Sequence, residues 1–181
     1  MKKEVQVGSI LISKPFIEDK RFEKTIILIV EHNQNGTIGF IINQPTDLKV
    51  HDLLPDFHEF SISVKKGGPV EINNLFFIHK YPDLINNSLE IKSGVFWGGE
   101  LKDLLKGYHN HEITNDQISF FLGYTGWEKN QLAQEIADGS WIIHEIDLTK
   151  FNKKIDWSTL LIEINQEYEV WANAPANFHL N

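Results

Sequence analysis

Cysteine is absent from this chain of 181 residues. Its absence excludes disulfide bonds, thiol catalysis, iron–sulfur ligation and cysteine-type zinc sites, and it is typical of a reducing compartment. A chain of this length can bury a core without covalent staples, because the buried share of the surface rises with size. We therefore expect residues 1–181 to form a single domain.

Long apolar runs are absent as well. The apolar stretch at residues 9–12 is too short for the core of a signal peptide and ends at Lys14 and Pro15. No segment approaches the roughly 20 apolar residues that cross a bilayer. We predict a cytoplasmic protein that does not enter a membrane.

Positive charge is in deficit, with 17 Lys and Arg against 25 Asp and Glu, a net charge of −8 and a pI near 5.4. The lysines are scattered and form no stripe interleaved with aromatic residues. This balance disfavours a phosphate backbone as the main partner. We do not expect direct nucleic-acid binding, and the expected partner is an unknown small molecule or protein.

The clearest structural signal is a β-hairpin. Two β-branched runs, residues 25–30 and 37–43, flank the turn sequence Asn-Gln-Asn-Gly at 33–36. Both runs are apolar at nearly every position, so both faces of the sheet should be covered. Gly39 should allow another group to approach the second strand closely, and Pro45 should end its pairing because it lacks an N–H.

Further strands are predicted at residues 7–13, 75–79, 88–91, 118–123 and 141–145. Short helices are predicted at 48–56 and at 99–108, the second with Leu101, Leu104 and Leu105 inward and Gly107 as its stop. A longer helix is predicted at 156–171, capped by Asp156. Strands and helices do not alternate regularly, which indicates a mixed α+β domain rather than a doubly wound sheet.

The segment 123–141, GYTGWEKNQLAQEIADGSW, carries the densest pattern. Thr125 and Glu128 fit a capping box, which predicts a helix that runs to about residue 137. Trp127, Gln131 and Glu135 would then share one stripe of that helix. Either the stripe only docks the helix on the core, or its polar groups line a cleft beside Tyr124.

These motifs match a known pattern. The ordered blocks GSILISKP, EHNQNGTIGFIINQP, GGPV and GYTGWEKNQLAQEI, followed by Trp141, resemble the YqgE/AlgH family over roughly residues 8–145. The resemblance implies an α+β domain with a strongly curved, bifurcated mixed β-sheet that forms a pseudo-barrel, in a cytosolic protein. Some members are described as transcriptional regulators, and the family supplies no reaction, cofactor or catalytic residue.

One position departs from the family pattern. The residue before Gly67 and Gly68 is often aromatic in the family, whereas this chain has Lys66 after Lys65. The tail beyond the shared core is not covered by the resemblance.

We predict a binding or regulatory domain without a cofactor, in which a curved sheet displays a groove for a ligand or peptide. The candidate binding residues are Glu31, His32, Asn43, Gly67, Gly68, Trp97, Tyr124, Trp127, Gln131 and Glu135. One alternative is a small-molecule enzyme that uses a Glu/His acid–base pair. Another is a regulator that reads DNA directly.

Other chemistry has weaker support. His109 and His111 would share a side of an extended segment and could bind a metal with Glu112 or His79, but spare histidines are common in polar loops. The glycine pairs 67–68 and 98–99 match no nucleotide-binding fingerprint. No nucleophile elbow is present.

Overall fold

The computed structural model describes residues 4–58 and 61–173. Most of the described elements are strands, because short apolar and β-branched runs alternate with turns along the whole chain. The strands are β1 (Ile10–Ser13), β2 (Ile26–Asn33), β3 (Gly36–Ile41), β4 (Pro45–Lys49), β5 (Ser63–Lys66), β6 (Val70–His79), β7 (Ser88–Lys92), β8 (Val95–Gly98), β9 (Ile118–Glu128) and β10 (Trp141–His144). The helices are α1 (Val50–Leu53), α2 (Leu101–His109), α3 (Gln131–Ala137), α4 (Trp157–Ile164) and α5 (Glu169–Ala172).

The sheet is organised around β9. Its main path runs β10-β1-β2-β3-β9-β6-β8-β7, and within the described residues the two end strands do not pair to close it. The first half of β9 also pairs with β5, in parallel, and β5 continues to β4. The sheet therefore branches at β9 and contains both strand orientations, which confirms the expected α+β fold with a bifurcated sheet.

The predicted hairpin is confirmed. β2 and β3 pair antiparallel from Ile27 with Ile41 to Asn33 with Gly36, so the loop consists of Gln34 and Asn35. A Cβ on Gly39 would lie 2.6 Å from Cγ2 of Ile27, which is the close approach that the sequence predicts. Gly36 has an additional reason to be glycine, because a Cβ there would collide with the carbonyl oxygen of Trp127 on β9.

Apolar residues cover both faces of the sheet, as the continuous apolar runs predict. One face, with Ile10, Leu28 and Phe40, packs under α4 around Trp157. The other face, with Leu11, Ile27 and Ile29, packs against Trp127, Leu132 and Trp141. A further cluster lies between β9 and the helices α1 and α2; it contains Val50, Phe57, Val64, Phe77, Ile85, Leu104, Ile113, Ile118 and Phe120.

Two helix predictions were wrong in detail. Gly107 does not stop α2 but is buried inside it, where a Cβ would lie 2.7 Å from Cδ1 of Ile113, and Leu101 is 39% exposed rather than inward. The helix predicted at 156–171 is divided into α4, a 3-10 turn at Gln166–Tyr168 and α5. Asn165 divides it, because its backbone is extended and its side chain accepts from the Glu167 N–H at 2.9 Å.

The predicted capping box at residues 125–128 was also wrong. β9 continues to Glu128, and the Thr125 hydroxyl donates instead to the Gly39 carbonyl oxygen at 2.7 Å. Helix α3 begins only at Gln131, after Asn130 has taken the left-handed conformation at φ 66°. Residues 125–128 pair with residues 36–39 of β3, and this tertiary pairing outweighs the local helix signal.

Three strands were missed. β4, β5 and β8 are short, and β4 begins at Pro45, which was expected to end strand pairing. Pro45 is tolerated because a proline at the first residue of a strand need not donate to the ladder.

Candidate functional site

A cleft of about 470 Å³ lies beside the β2–β3 hairpin, and we call it the hairpin cleft. It is lined by Glu31, Asn33, Asn35, Gly36, Thr37, Ile38, Val70, Tyr124, Gly126, Trp127 and Glu128. Its volume falls in the range of small-ligand pockets. The cleft brings together three of the predicted binding residues, namely Glu31, Tyr124 and Trp127.

The register of three strands builds the floor of this cleft. Glu31 on β2 lies opposite Ile38 on β3, and Ile38 lies opposite Gly126 on β9. Directly paired residues share a face of a sheet, so these positions form a row across the strands. Along β9, Tyr124, Gly126 and Glu128 share that face because side chains alternate with a period of two.

Neighbouring groups fix the two polar side chains of the floor. Asn33 donates from Nδ2 to Oε1 of Glu31 at 2.7 Å, which orients the carboxylate. The Tyr124 ring packs edge-on against Phe76, with 5.6 Å between ring centroids. Gly126 leaves room for that ring, since a Cβ there would lie 3.3 Å from Cε2 of Tyr124.

The hairpin cleft has negative charge. Glu31 and Glu128 line it, and no lysine, arginine or histidine is among its lining residues within the described chain. Glu128 and Val70 were not predicted as site residues. The alternation Tyr124, Gly126, Glu128 could have revealed Glu128 had the segment been interpreted as a strand.

His32 lies on the other side of the hairpin. It is exposed, and its Nδ1 is 2.7 Å from Oγ1 of Thr37. With Lys129 and Asn130 it lines an adjoining cleft of about 340 Å³, which shares Asn33, Gly36, Thr37 and Glu128 with the hairpin cleft. Glu31 and His32 are consecutive strand residues and therefore face opposite sides. The structure does not bring them together.

Glu135 is the centre of a hydrogen-bonded cluster. Its Oε2 accepts from Nε1 of Trp127 at 2.9 Å and from Nε1 of Trp141 at 2.7 Å, and its Oε1 accepts from Nε2 of Gln131 at 3.0 Å. The two indole rings meet edge to face at 6.0 Å. The carboxylate thus ties α3 to β9 and β10.

The predicted aromatic groove is therefore divided. Trp127 is 5% exposed and packs in the cluster with Leu11 and Leu132, whereas Tyr124 packs on the opposite face of the sheet. Trp97 also lies away from the hairpin cleft, with its ring 5.9 Å from that of Phe40. Its buried Nε1 has no hydrogen-bond partner within the described part of the chain.

Asn43, Gly67 and Gly68 have structural contacts. The Asn43 amide accepts from the Ile26 N–H at 2.8 Å and donates to the Lys24 carbonyl oxygen at 2.9 Å, so it joins the end of β3 to the start of β2. A Cβ on Gly67 would collide with the Gly123 carbonyl oxygen, and one on Gly68 with the Tyr124 carbonyl group. These glycines let the chain after β5 cross β9 closely.

The histidines proposed as metal ligands do not converge. His109 ends α2 and His111 follows in a turn with φ 60°, so the two do not share an extended segment. His79 is fully buried, accepts at Nδ1 from the Tyr81 N–H at 3.1 Å, and places Nε2 3.2 Å from the Gly98 carbonyl oxygen. Within residues 4–58 and 61–173, no cluster of metal-ligating side chains is found.

The AlgH-like (DUF179) family model matches residues 10–169. This match covers most of the chain and all ten described strands. The chain is a member of the AlgH-like family. This confirms the resemblance on which the fold expectation partly depended.

Relatives of similar length support the assignment. A UPF0301 protein of Chlorobium limicola is 36% identical over 177 residues, which covers 95% of this chain and 94% of the relative. A UPF0301 protein of Parabacteroides distasonis is 34% identical over 179 residues, with 96% and 90% covered.

Solved structures share the fold of this AlgH-like chain. The solution structure of the AlgH protein from Pseudomonas aeruginosa has a TM-score of 0.71 at 24% identity and covers 97% of this chain and 99% of its own. A crystal structure of a protein from Corynebacterium diphtheriae has a TM-score of 0.76 at 18% identity, with 96% and 95% covered. At these identities the likeness concerns the fold alone.

Proposed function

We propose that this AlgH-like chain is a binding domain that recognises a positively charged group in the hairpin cleft. One observation carries the proposal. Glu31, Glu128 and the Tyr124 ring line the same cleft, and no cationic side chain lines it among the described residues. A carboxylate and an aromatic ring both attract an ammonium or guanidinium group, and the attraction strengthens where water is partly excluded. The ligand would be a small amine or a short basic segment of a protein.

The proposed cellular role is regulation through a bound ligand or protein rather than through DNA. The net charge of −8 and the acidic cleft would both repel a phosphate backbone. The label of transcriptional regulator carried by some family members would then describe an indirect effect. We propose the cytoplasm as the site of action; no helix among the described residues is long and apolar enough to cross a bilayer.

Binding is favoured over acid–base catalysis by the position of the histidines. Glu31 has Asn33 as its hydrogen-bond partner, and no histidine lines the cleft among the described residues. Glu135 is held by two indoles and an amide instead of a histidine. A Glu/His pair would need the two groups within hydrogen-bond reach of one reacting proton.

An NMR titration of the labelled protein with spermidine, and separately with pentalysine, tests the proposal. We expect amide shifts at Glu31, Gly126 and Glu128, and about tenfold weaker binding in Glu31→Gln, because hydrogen bonds to a charged group contribute about 1.5–3 kcal/mol. The side-chain amide oxygen that this substitution introduces can still accept from Asn33, so the hairpin should keep its shape. The matched control is Glu163→Gln, which removes an exposed carboxylate elsewhere.

The two probes separate the two possible ligand sizes. Binding of spermidine alone would indicate a small amine, and binding of pentalysine alone would indicate a protein segment. Equal affinity of Glu31→Gln and Glu163→Gln for both probes, or shifts spread over the whole acidic surface, would overturn the proposal.

A further inference from the structure

A second pocket lies where the chain after β3 meets the loop before α4. It has a volume of about 510 Å³, and its lining includes Lys24, Lys65 and Lys154 together with Asn43, Asp156 and Trp157. We call it the lysine pocket. It shares no lining residue with the hairpin cleft.

The charge of the lysine pocket is opposite to that of the protein. Three lysines and one aspartate line it, in a chain whose net charge is −8. Asp156 is already engaged, because its Oδ1 accepts from both the N–H and the hydroxyl of Thr159 and so caps α4. A cluster of positive charges on an acidic protein attracts small anions and raises their concentration near the pocket.

Lys65 is the most unusual of the three lysines. It lies on β5, partly buried, with Nζ 5.7 Å from the centre of the Phe121 ring. Across the described chain, no carboxylate oxygen lies within ion-pair distance of this Nζ. Burial lowers the pKa of the Lys65 amine, because removal of water disfavours the charged form.

The other walls of the pocket suit the apolar part of a ligand. Trp157 is 4% exposed and fixed by a hydrogen bond from Nε1 to the Ser13 carbonyl oxygen at 2.9 Å. Lys24 lies over the same ring at 5.7 Å, so its ammonium is held at the pocket wall. Ile42 and Ile155 complete an apolar side.

We propose that the lysine pocket binds a small soluble organic anion, a phosphate ester or carboxylate with an apolar body. The anionic group would lie between Lys65 and Lys154, and the apolar body would lie against Ile42 and Ile155. An anion at Lys65 would replace the water that folding removes from its ammonium, so the ligand would recover part of the cost of burying that charge. This proposal does not depend on the function proposed for the hairpin cleft.

Phenyl phosphate, which has both an anionic group and an apolar ring, is the first probe, and inorganic phosphate is the second. We expect saturable amide shifts of Asn43, Lys65 and Ser158 in the labelled protein, with no shifts at Glu31 or Gly126. Phenyl phosphate should bind more tightly than inorganic phosphate, because it also buries apolar surface. Equal affinity of the two probes would overturn the proposed apolar body and leave a bare anion site.

The deciding variant is Lys65→Met, which keeps the length of the side chain and removes the charge. It should weaken phenyl phosphate binding about tenfold, the effect expected for loss of one charge-assisted hydrogen bond. The matched control is Lys106→Gln, an exposed lysine on α2, which should bind as the unchanged protein does. Thermal unfolding of both variants reports whether each is folded.

Three further results would overturn the anion site itself. One is binding of phenyl phosphate to folded Lys65→Met with unchanged affinity. The second is shifts at scattered lysines without saturation, which would indicate charge screening only. The third is the absence of any shift at millimolar phenyl phosphate.

Discussion

Glu135 and Lys65 are both charged side chains held beside aromatic rings, but their partners differ. The Glu135 carboxylate accepts hydrogen bonds from two indoles and an amide, all supplied by the protein itself. The Lys65 ammonium has an aromatic ring and no carboxylate partner within the described residues. A charged group whose hydrogen bonds are satisfied within the protein stabilises the fold. A charged group that lacks such partners remains available to a ligand.

His79 is a third titratable side chain, and the fold buries it in its neutral form. It is fully buried, and burial lowers its pKa to about 4, so the ring is neutral at physiological pH. The Tyr81 N–H occupies Nδ1, which leaves the proton on Nε2, facing the Gly98 carbonyl oxygen. A buried group that can lose its charge needs only neutral hydrogen bonds.

The largest expected effect concerns His79. Its pKa is about 6.5 in the unfolded chain and about 4 in the fold, so the unfolded state binds the proton first as pH falls. The free energy of unfolding should have its full value above about pH 6.5. It should fall by about 3 kcal/mol between pH 6.5 and pH 4, at 1.36 kcal/mol per unit of pKa. Urea unfolding across this range measures the loss.

The control for this effect is His79→Gln, which can still accept from Tyr81 and donate to Gly98 but cannot titrate. Its stability should change much less between pH 6.5 and 4. The lowered carboxyl pKa values, such as that of Asp147 at about 2, act mainly below this window and only slightly at its acid end, because they start from 3.8. An equally steep fall in His79→Gln would assign the acid sensitivity to other groups.

An intermediate effect is expected for Glu135→Gln. One side-chain oxygen is replaced by an NH₂ group, so at least one indole or amide donor loses its acceptor at a partly buried site. We expect a loss of about 1–3 kcal/mol, or roughly 2–12 °C in Tm. Glu163→Gln on the exposed side of α4 is a control that makes the same substitution away from the indoles. An unchanged Tm in Glu135→Gln would contradict the proposed difference between charged groups that have hydrogen-bond partners within the protein and charged groups that lack them.

The smallest effect, and one of opposite sign, is expected for Lys65→Met without ligand. Because burial lowers the pKa of Lys65, the fold disfavours its charged form, and this cost is present below the unfolded pKa of 10.5. Removal of the charge should leave Tm unchanged or raise it by up to about 2 °C. A fall of several degrees would mean that the contact with Phe121 stabilises the fold and that Lys65 has a structural role.

The hairpin shows how much a local pattern can predict. Its strands, turn and the close approach at Gly39 all follow from residues 25–43, because neighbouring strands joined by a tight turn need no information from elsewhere. The glycines of this region were also recognised, but the collision at Gly36 involves Trp127 on β9, which is distant along the chain, and no local pattern contains it.

Segment 123–141 shows the opposite case. The sequence predicted that Trp127, Gln131 and Glu135 would share a helical stripe, and the three side chains do meet. They meet across a strand–helix junction, because residues 125–128 pair with β3 as part of a strand. The contact was predicted for the wrong local reason, and the same error placed the side chains of Tyr124 and Trp127 together, whereas they pack on opposite faces of the sheet.

By itself, the sequence determined the family, the α+β class, the hairpin and the absence of thiol chemistry, because these depend on composition and on contacts close along the chain. Only the tertiary structure decided which charged side chains have partners within the protein and which remain available to a ligand. The partners of Glu135 come from three elements, and the walls of the lysine pocket come from residues 24–65 and 152–158. Charge pairing depends on distance in space, and the parallel pairing of β5 with β9 is what places Lys65 beside Phe121.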